Sequence, residues 1–143
     1  MTDEFWLLHA DGASLGNPGA GGAGAVLYNP SKEVAGEVSL YLGPKVTNNE
    51  AEYQGLLEGL KLALNLGVKK LHIRMDSELA VRQVLGIYKV KNARLAVFYQ
   101  KVMENLARFE EYDIAHVRRD LNREADALAS RAARSPIFNQ KYD

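Results

Sequence analysis

The chain has no cysteine, only 4 prolines and 3 histidines in 143 residues, and a formal net charge of zero. Without a thiol it has no disulfide scaffold, no thiolate zinc site and no cysteine nucleophile, so any metal must be held by carboxylates or imidazoles. Long apolar runs are missing too. None approaches the roughly 18 residues of a membrane span, and the first eight residues, Met1 to Leu8, lack the basic flank and apolar stretch of a signal peptide. The expectation is a cytoplasmic protein with no membrane partner. Hydrophobic residues at 47% and charged residues at 25% exclude a disordered or fibrous chain. The length suits one domain over residues 1–143, with 135–143 as a tail of unassigned order, and a monomer is expected.

The zero net charge argues at first against a polyanionic partner, yet the average conceals a segregation. Residues 1–60 carry 2 basic and 8 acidic groups, residues 61–101 carry 9 and 2, and residues 102–143 carry 7 and 8. The basic middle third reads either as a solvated helix face or as an electrostatic footprint for phosphates.

Hydrophobic patterning predicts strands over 5–11, 23–28 and 37–42, joined as an antiparallel meander with a turn at Asn29-Pro30-Ser31-Lys32. From Asn48 to Leu66 the positions Tyr53, Leu56, Leu57, Leu60, Ala63 and Leu64 form one helical stripe, with Gly67 suited to its C-terminal cap. A strand follows over 70–75, then a short helix from Asp76-Ser77 to about Gly86. A helix over 93–109, a strand over 113–117 and an Ala-rich helix from Asn122 to about Arg134 complete the order βββαβααβα. Such an order implies an α/β fold with a five-stranded mixed sheet flanked by helices. The 70–75 strand lies beside the first strand and the 113–117 strand lies outside it.

Residues at the carboxyl ends of the parallel strands then converge on one crevice. Asp11 ends the first strand, Asp76 ends its neighbour, and Glu52 and Asp126 lie near the starts of two helices. Four gathered carboxylates repel one another unless hard cations with oxygen ligands neutralise them, which points to Mg2+, with Mn2+ as the alternative. Taken singly, each acid also reads as a helix-terminus or capping residue. The run Gly19 to Gly24 satisfies the spacing of a dinucleotide-binding loop but leads into a strand rather than a helix, so that reading fails. The stretch Asp11 to Gly19 reads instead as a turn that admits a ligand close to the main chain, or as a tight hairpin. His9, His72 and His116 fall in separate strands, where packing or edge roles are expected.

Together, the Asp11-Gly-Ala-Ser-Leu-Gly-Asn-Pro-Gly stretch, Thr47-Asn-Asn-Glu-Ala-Glu52, Asp76-Ser77 and Asn122-Arg-Glu-Ala-Asp126 resemble type 1 ribonuclease H, in that family's order and across residues 11 to about 130. The resemblance implies an endonuclease that cleaves the RNA strand of RNA–DNA hybrids with two Mg2+ ions, leaving 5′-phosphate and 3′-hydroxyl ends. It also implies Asp11 between the ions, Glu52 and Asp76 on the water-activating side, and Asp126 on the leaving-group side. By the same resemblance Gly12, Ala13, Ser14, Asn17, Asn48, Asn49 and Ser77 line the hybrid, and Glu52 faces a ribose 2′-hydroxyl, the group that distinguishes RNA from DNA. Lys45, Thr47 and Asn92 match positions that hold a DNA-strand phosphate.

Two departures separate the chain from many relatives. The segment His116 to Asn122 passes directly from strand to helix with no loop histidine, and residues 86–93 replace a helix and a Lys-rich loop. This pattern resembles a compact subtype. The competing reading is a catalytically weak module of the same fold that only holds hybrid or RNA, and four carboxylates facing phosphate argue against it.

Overall fold

The computed structural model describes residues 4–135 and the strand at 140–142. Strands β1 (Trp6–Leu15), β2 (Gly19–Tyr28) and β3 (Val34–Val46) form the meander, followed by α1 (Asn48–Asn65), β4 (Lys70–Met75), α2 (Glu78–Val84) and α3 (Ala93–Leu106). Strand β5 (Glu111–His116), a 3-10 turn (Arg119–Leu121), α4 (Arg123–Arg134) and β6 (Gln140–Tyr142) complete the order. The sheet runs β5-β4-β1-β2-β3, as the sequence predicts, with β4 parallel to both β1 and β5. An unexpected short β6 pairs antiparallel with Glu37–Ser39 of β3. The rest of the expected tail, 136–139 and 143, lies outside the described residues.

Strand alternation assigns the two faces of the sheet. Leu8 and Ala10 of β1, with their partners Leu27 and Ala25 on β2, face α1 and join Leu56, Leu60, Ile73, Val102 and Leu106 in the main core. His9, Asp11 and Ala13 point to the opposite face, where α4 packs through Ala125, Leu128, Ala129 and Ala132.

The expected turn from Asp11 is a continuation of β1, which pairs with β2 as far as Leu15 opposite Ala20. Only Gly16, Asn17 and Pro18 make the turn. The glycine-rich stretch of β2 is a docking track: a Cβ on Gly24 would overlap the Ala125 carbonyl of α4, and one on Gly22 the Ala129 carbonyl. Helix α4 therefore lies almost on the backbone of β2.

Pairing of β1 with β4 ends at His9 opposite Arg74, whereas β1 with β2, and β4 with β5, continue beyond that level. The sheet forks there. Asp11 follows on one branch and Asp76 on the other.

Candidate active site

Four elements bring one acid each to this fork. Asp11 projects from β1 on the α4 side. Helix α1 starts with a reciprocal cap in which the Thr47 hydroxyl accepts from Glu50 N and the Glu50 carboxylate accepts from Thr47 N, a strong helix-initiating arrangement. The helix then crosses β1 so closely that a Cβ on Gly12 would strike Ala51, and one on Gly55 the Asp11 carbonyl. That contact places Glu52 beside Asp11. Asp76 follows β4 directly, before the α2 cap Ser77, and Asp126 rides on the first turn of α4 above the β2 glycines.

Asp11, Glu52, Asp76 and Asp126 line one open cleft of about 690 Å3 with Gly12, Ala13, Ser14, Leu15, Asn48, Asn49, Arg119 and Ser130. Burial pushes the Asp11 carboxyl up to about 8. The neighbouring Asp76 charge and a hydrogen bond with Asp126 add to this, against the opposing Gly12 N–H, which donates to Asp11 Oδ1 at 2.8 Å. Burial also raises Glu52, to about 7. The Ser77 hydroxyl and Arg119 oppose that rise and Asp76 reinforces it. Arg119 Nε stands 3.7 Å from Asp76 Oδ2.

Among the described residues, no three His, Asp or Glu side chains close into a metal cage. The donors instead line an open cleft, which fits Mg2+, an ion that takes one or two carboxylates and leaves its remaining positions to water and substrate phosphate. The donor set is all oxygen, and burial first, then the neighbouring Asp76 charge, raises two of its members, Asp11 to about 8 and Glu52 to about 7. A divalent cation relieves that repulsion, so the residues fit such an ion.

A family model described as reverse transcriptase-like matches residues 9–132. Ribonuclease HI of Halobacterium salinarum is 36% identical over 134 residues, covering 92% of this chain and 67% of that protein. The chain belongs to the type 1 ribonuclease H family. Among solved ribonuclease H structures, the N-terminal RNase H domain of Rv2228c from Mycobacterium tuberculosis has a TM-score of 0.90 at 36% identity, covering 93% of this chain and 96% of that one. LC11-RNase H1 in complex with an RNA/DNA hybrid has a TM-score of 0.85 at 33% identity, covering 93% and 99%. The chain spans 35% of the length of the full mycobacterial bifunctional protein.

Against this ribonuclease H frame the other expected residues separate into two groups. Gly12, Ala13, Ser14, Asn48 and Asn49 line the cleft. Ser77 is buried under Glu52, and Asn17 lies outside the lining, where its Oδ1 accepts from Asn48 N at 2.9 Å. The Ser14 hydroxyl donates to the Val46 carbonyl at 2.6 Å, so the β1–β2 turn is fastened to the end of β3 and the start of α1. Thr47 caps α1 and Asn92 caps α3, accepting from Arg94 N and Leu95 N. These two helix starts are joined through Glu50, whose carboxylate also pairs with Arg94 at 2.7 Å. Lys45 is exposed on the same chain segment, two residues before Thr47.

Sequence reasoning left two participants outside the expected site. Ser130, which lines the cleft, gave no pattern signal beyond polarity. Asn122 was visible as the opening of the last helix and of the motif that ends at Asp126, with no contact of its own assigned, although its amide donates to the Ala10 carbonyl at 3.1 Å and to Asp76 Oδ1 at 3.4 Å.

Proposed function

We propose that this protein hydrolyses the RNA strand of RNA–DNA hybrids, leaving 5′-phosphate and 3′-hydroxyl ends. The observation that carries the reading is the meeting of four carboxylates, one from each of four elements, in one open cleft at the sheet fork. Asp11, Glu52, Asp76 and Asp126 would hold two Mg2+ ions, or Mn2+ in their place, which when bound supply an activated water and neutralise the departing 3′ oxygen. The protein's own part is largely positioning. The Gly12 N–H orients Asp11, the Ser77 hydroxyl orients Glu52, and Arg119 places a guanidinium at the rim beside Asp76. Glu52 is assigned the ribose 2′-hydroxyl, and the backbone of Gly12 and Ala13 the RNA strand.

The DNA strand is assigned to the paired helix starts. Two N-termini joined through Glu50, with Lys45 alongside, offer main-chain and side-chain donors to a single backbone phosphate. A binding module without catalysis gains nothing from buried acids that repel the phosphates it holds. The test is end-labelled hybrid incubated with Mg2+ beside single-stranded RNA, duplex RNA and duplex DNA. Cleavage confined to the RNA of the hybrid is expected, and an uncut hybrid that is nevertheless bound would favour the binding module.

A further inference from the structure

Patterning assigns His9 to packing within β1, but its ring meets the most deeply buried polar side chain beneath the cleft. His9 Nδ1 lies 3.0 Å from Asn122 Oδ1. Asn122 is 0% exposed, so its amide must be satisfied by protein groups. Its Nδ2 faces two acceptors, the Ala10 carbonyl and Asp76 Oδ1. A flipped amide would turn an oxygen toward both acceptors, so Nδ2 stays there and Oδ1 faces His9. An oxygen accepts, and His9 Nδ1 therefore carries the hydrogen. Tyr28 packs edge-on against the His9 ring, with centroids 5.9 Å apart, and supports it from the side.

Asn122 also touches the segments that carry Asp11 and Asp126. Ala10 precedes Asp11, and the Asn122 carbonyl accepts from Asp126 N at 3.0 Å. We propose that His9 is a positioning residue whose Nδ1–H locks the Asn122 amide, which in turn holds the Asp76 carboxylate in the orientation that receives a divalent cation. This role rests on reading Asp76 as a metal ligand. It does not require the hybrid-cleaving activity itself.

The experiment compares the wild type with His9→Leu and His9→Asn. Asparagine can present an amide N–H near the place of Nδ1–H, whereas leucine presents none. In His9→Leu, calorimetric Mn2+ affinity without substrate and kcat on hybrid should each fall roughly tenfold, the scale on which support for a metal ligand is felt. The Michaelis constant for hybrid should change by less than about twofold, because binding contacts remote from the chemistry are untouched. His9→Asn should recover most of both losses. In the wild type, 15N spectra of labelled histidine should show a hydrogen on His9 Nδ1. The opposite tautomer would overturn the proposal, as would a folded His9→Leu with unchanged Mn2+ affinity, or a His9→Asn no better than His9→Leu. If His9→Leu does not fold, the tautomer and His9→Asn decide. If the wild type binds Mn2+ but leaves hybrid uncut, weakened Mn2+ affinity in His9→Leu still supports the role of His9 while the nuclease reading falls.

Discussion

At the scale of single residues, the site is a set of acids kept where water would not keep them. Asp11 holds its proton up to about pH 8 in the folded protein, against 3.8 for an ordinary aspartate. Between those values the native state binds more protons than the unfolded one, so in chelator stability is present at about pH 4 and is lost as pH rises toward 8. Glu52, raised to about 7, works in the same direction. Asp11→Asn removes the charge that drives this loss. Calorimetric melting in chelator should therefore show the variant gaining over the wild type as pH rises from 4 to 8. Its turnover on hybrid should meanwhile fall by at least roughly 10²-fold, the scale of losing a transition-state electrostatic contact. A gain independent of pH would contradict the electrostatic account. Asp126→Asn should be milder, since the amide keeps an oxygen donor while shedding one charge.

At the scale of elements, close backbone approach is the device that assembles the site. Gly24→Ala puts a methyl group into the α4 main chain, which should cost about 1–3 kcal/mol as overpacking. It should also lower activity by lifting Asp126 from the cleft, and chemical denaturation beside turnover tests both. Asn92 separates a capping role from a phosphate role. Asn92→Ala loses the α3 cap, worth about 1 kcal/mol, and should lower the melting temperature while raising the Michaelis constant. Asn92→Asp keeps an acceptor for Arg94 N and Leu95 N but adds a negative charge, so the Michaelis constant alone should rise. An unchanged Michaelis constant in Asn92→Asp would remove this residue from the phosphate site.

The same scale shows what the sequence made legible. Strand β4 matches its predicted range, and both long helices start at the predicted residues 48 and 93, because a helix or strand that buries one face carries that period in its own residues. The four acids could be placed at one end of the sheet because strand order follows from crossover handedness. Sequence patterning ends β1 too early, at Asp11, because Gly12, Ala13 and Ser14 resemble a turn until they are seen opposite Ala23, Gly22 and Gly21 of β2. Phe109 continues the α3 stripe but packs beyond the helix end at Leu106. The His9–Asn122 contact spans 113 residues and has no local period at all.

At the scale of the whole molecule, zero net charge divides into an acidic cleft and a basic stretch through α2, the loop after it and α3, including Arg82, Lys89, Lys91, Arg94 and Lys101. Hybrid affinity should fall linearly on a log–log plot against salt. Lys89→Ala and Lys91→Ala should each flatten the slope by up to about 1 and weaken binding regardless of sequence. An unaltered slope in the double variant would place the strand on another face. The fork in the sheet has a mechanical consequence. Among the described residues no main-chain ladder beyond His9 and Arg74 ties the β1–β2–β3 branch to the β4–β5 branch, so the spacing between Asp11 and Asp76 is governed by side chains such as Asn122. Anything bridging the two acids acts as a rivet across two leaves that can otherwise breathe apart. Amide exchange at Val117, whose N–H donates to the Met75 carbonyl at the tip of the β4–β5 leaf, should therefore slow when Mg2+ is added to the protein without nucleic acid, while amides in the middle of β2 remain unchanged.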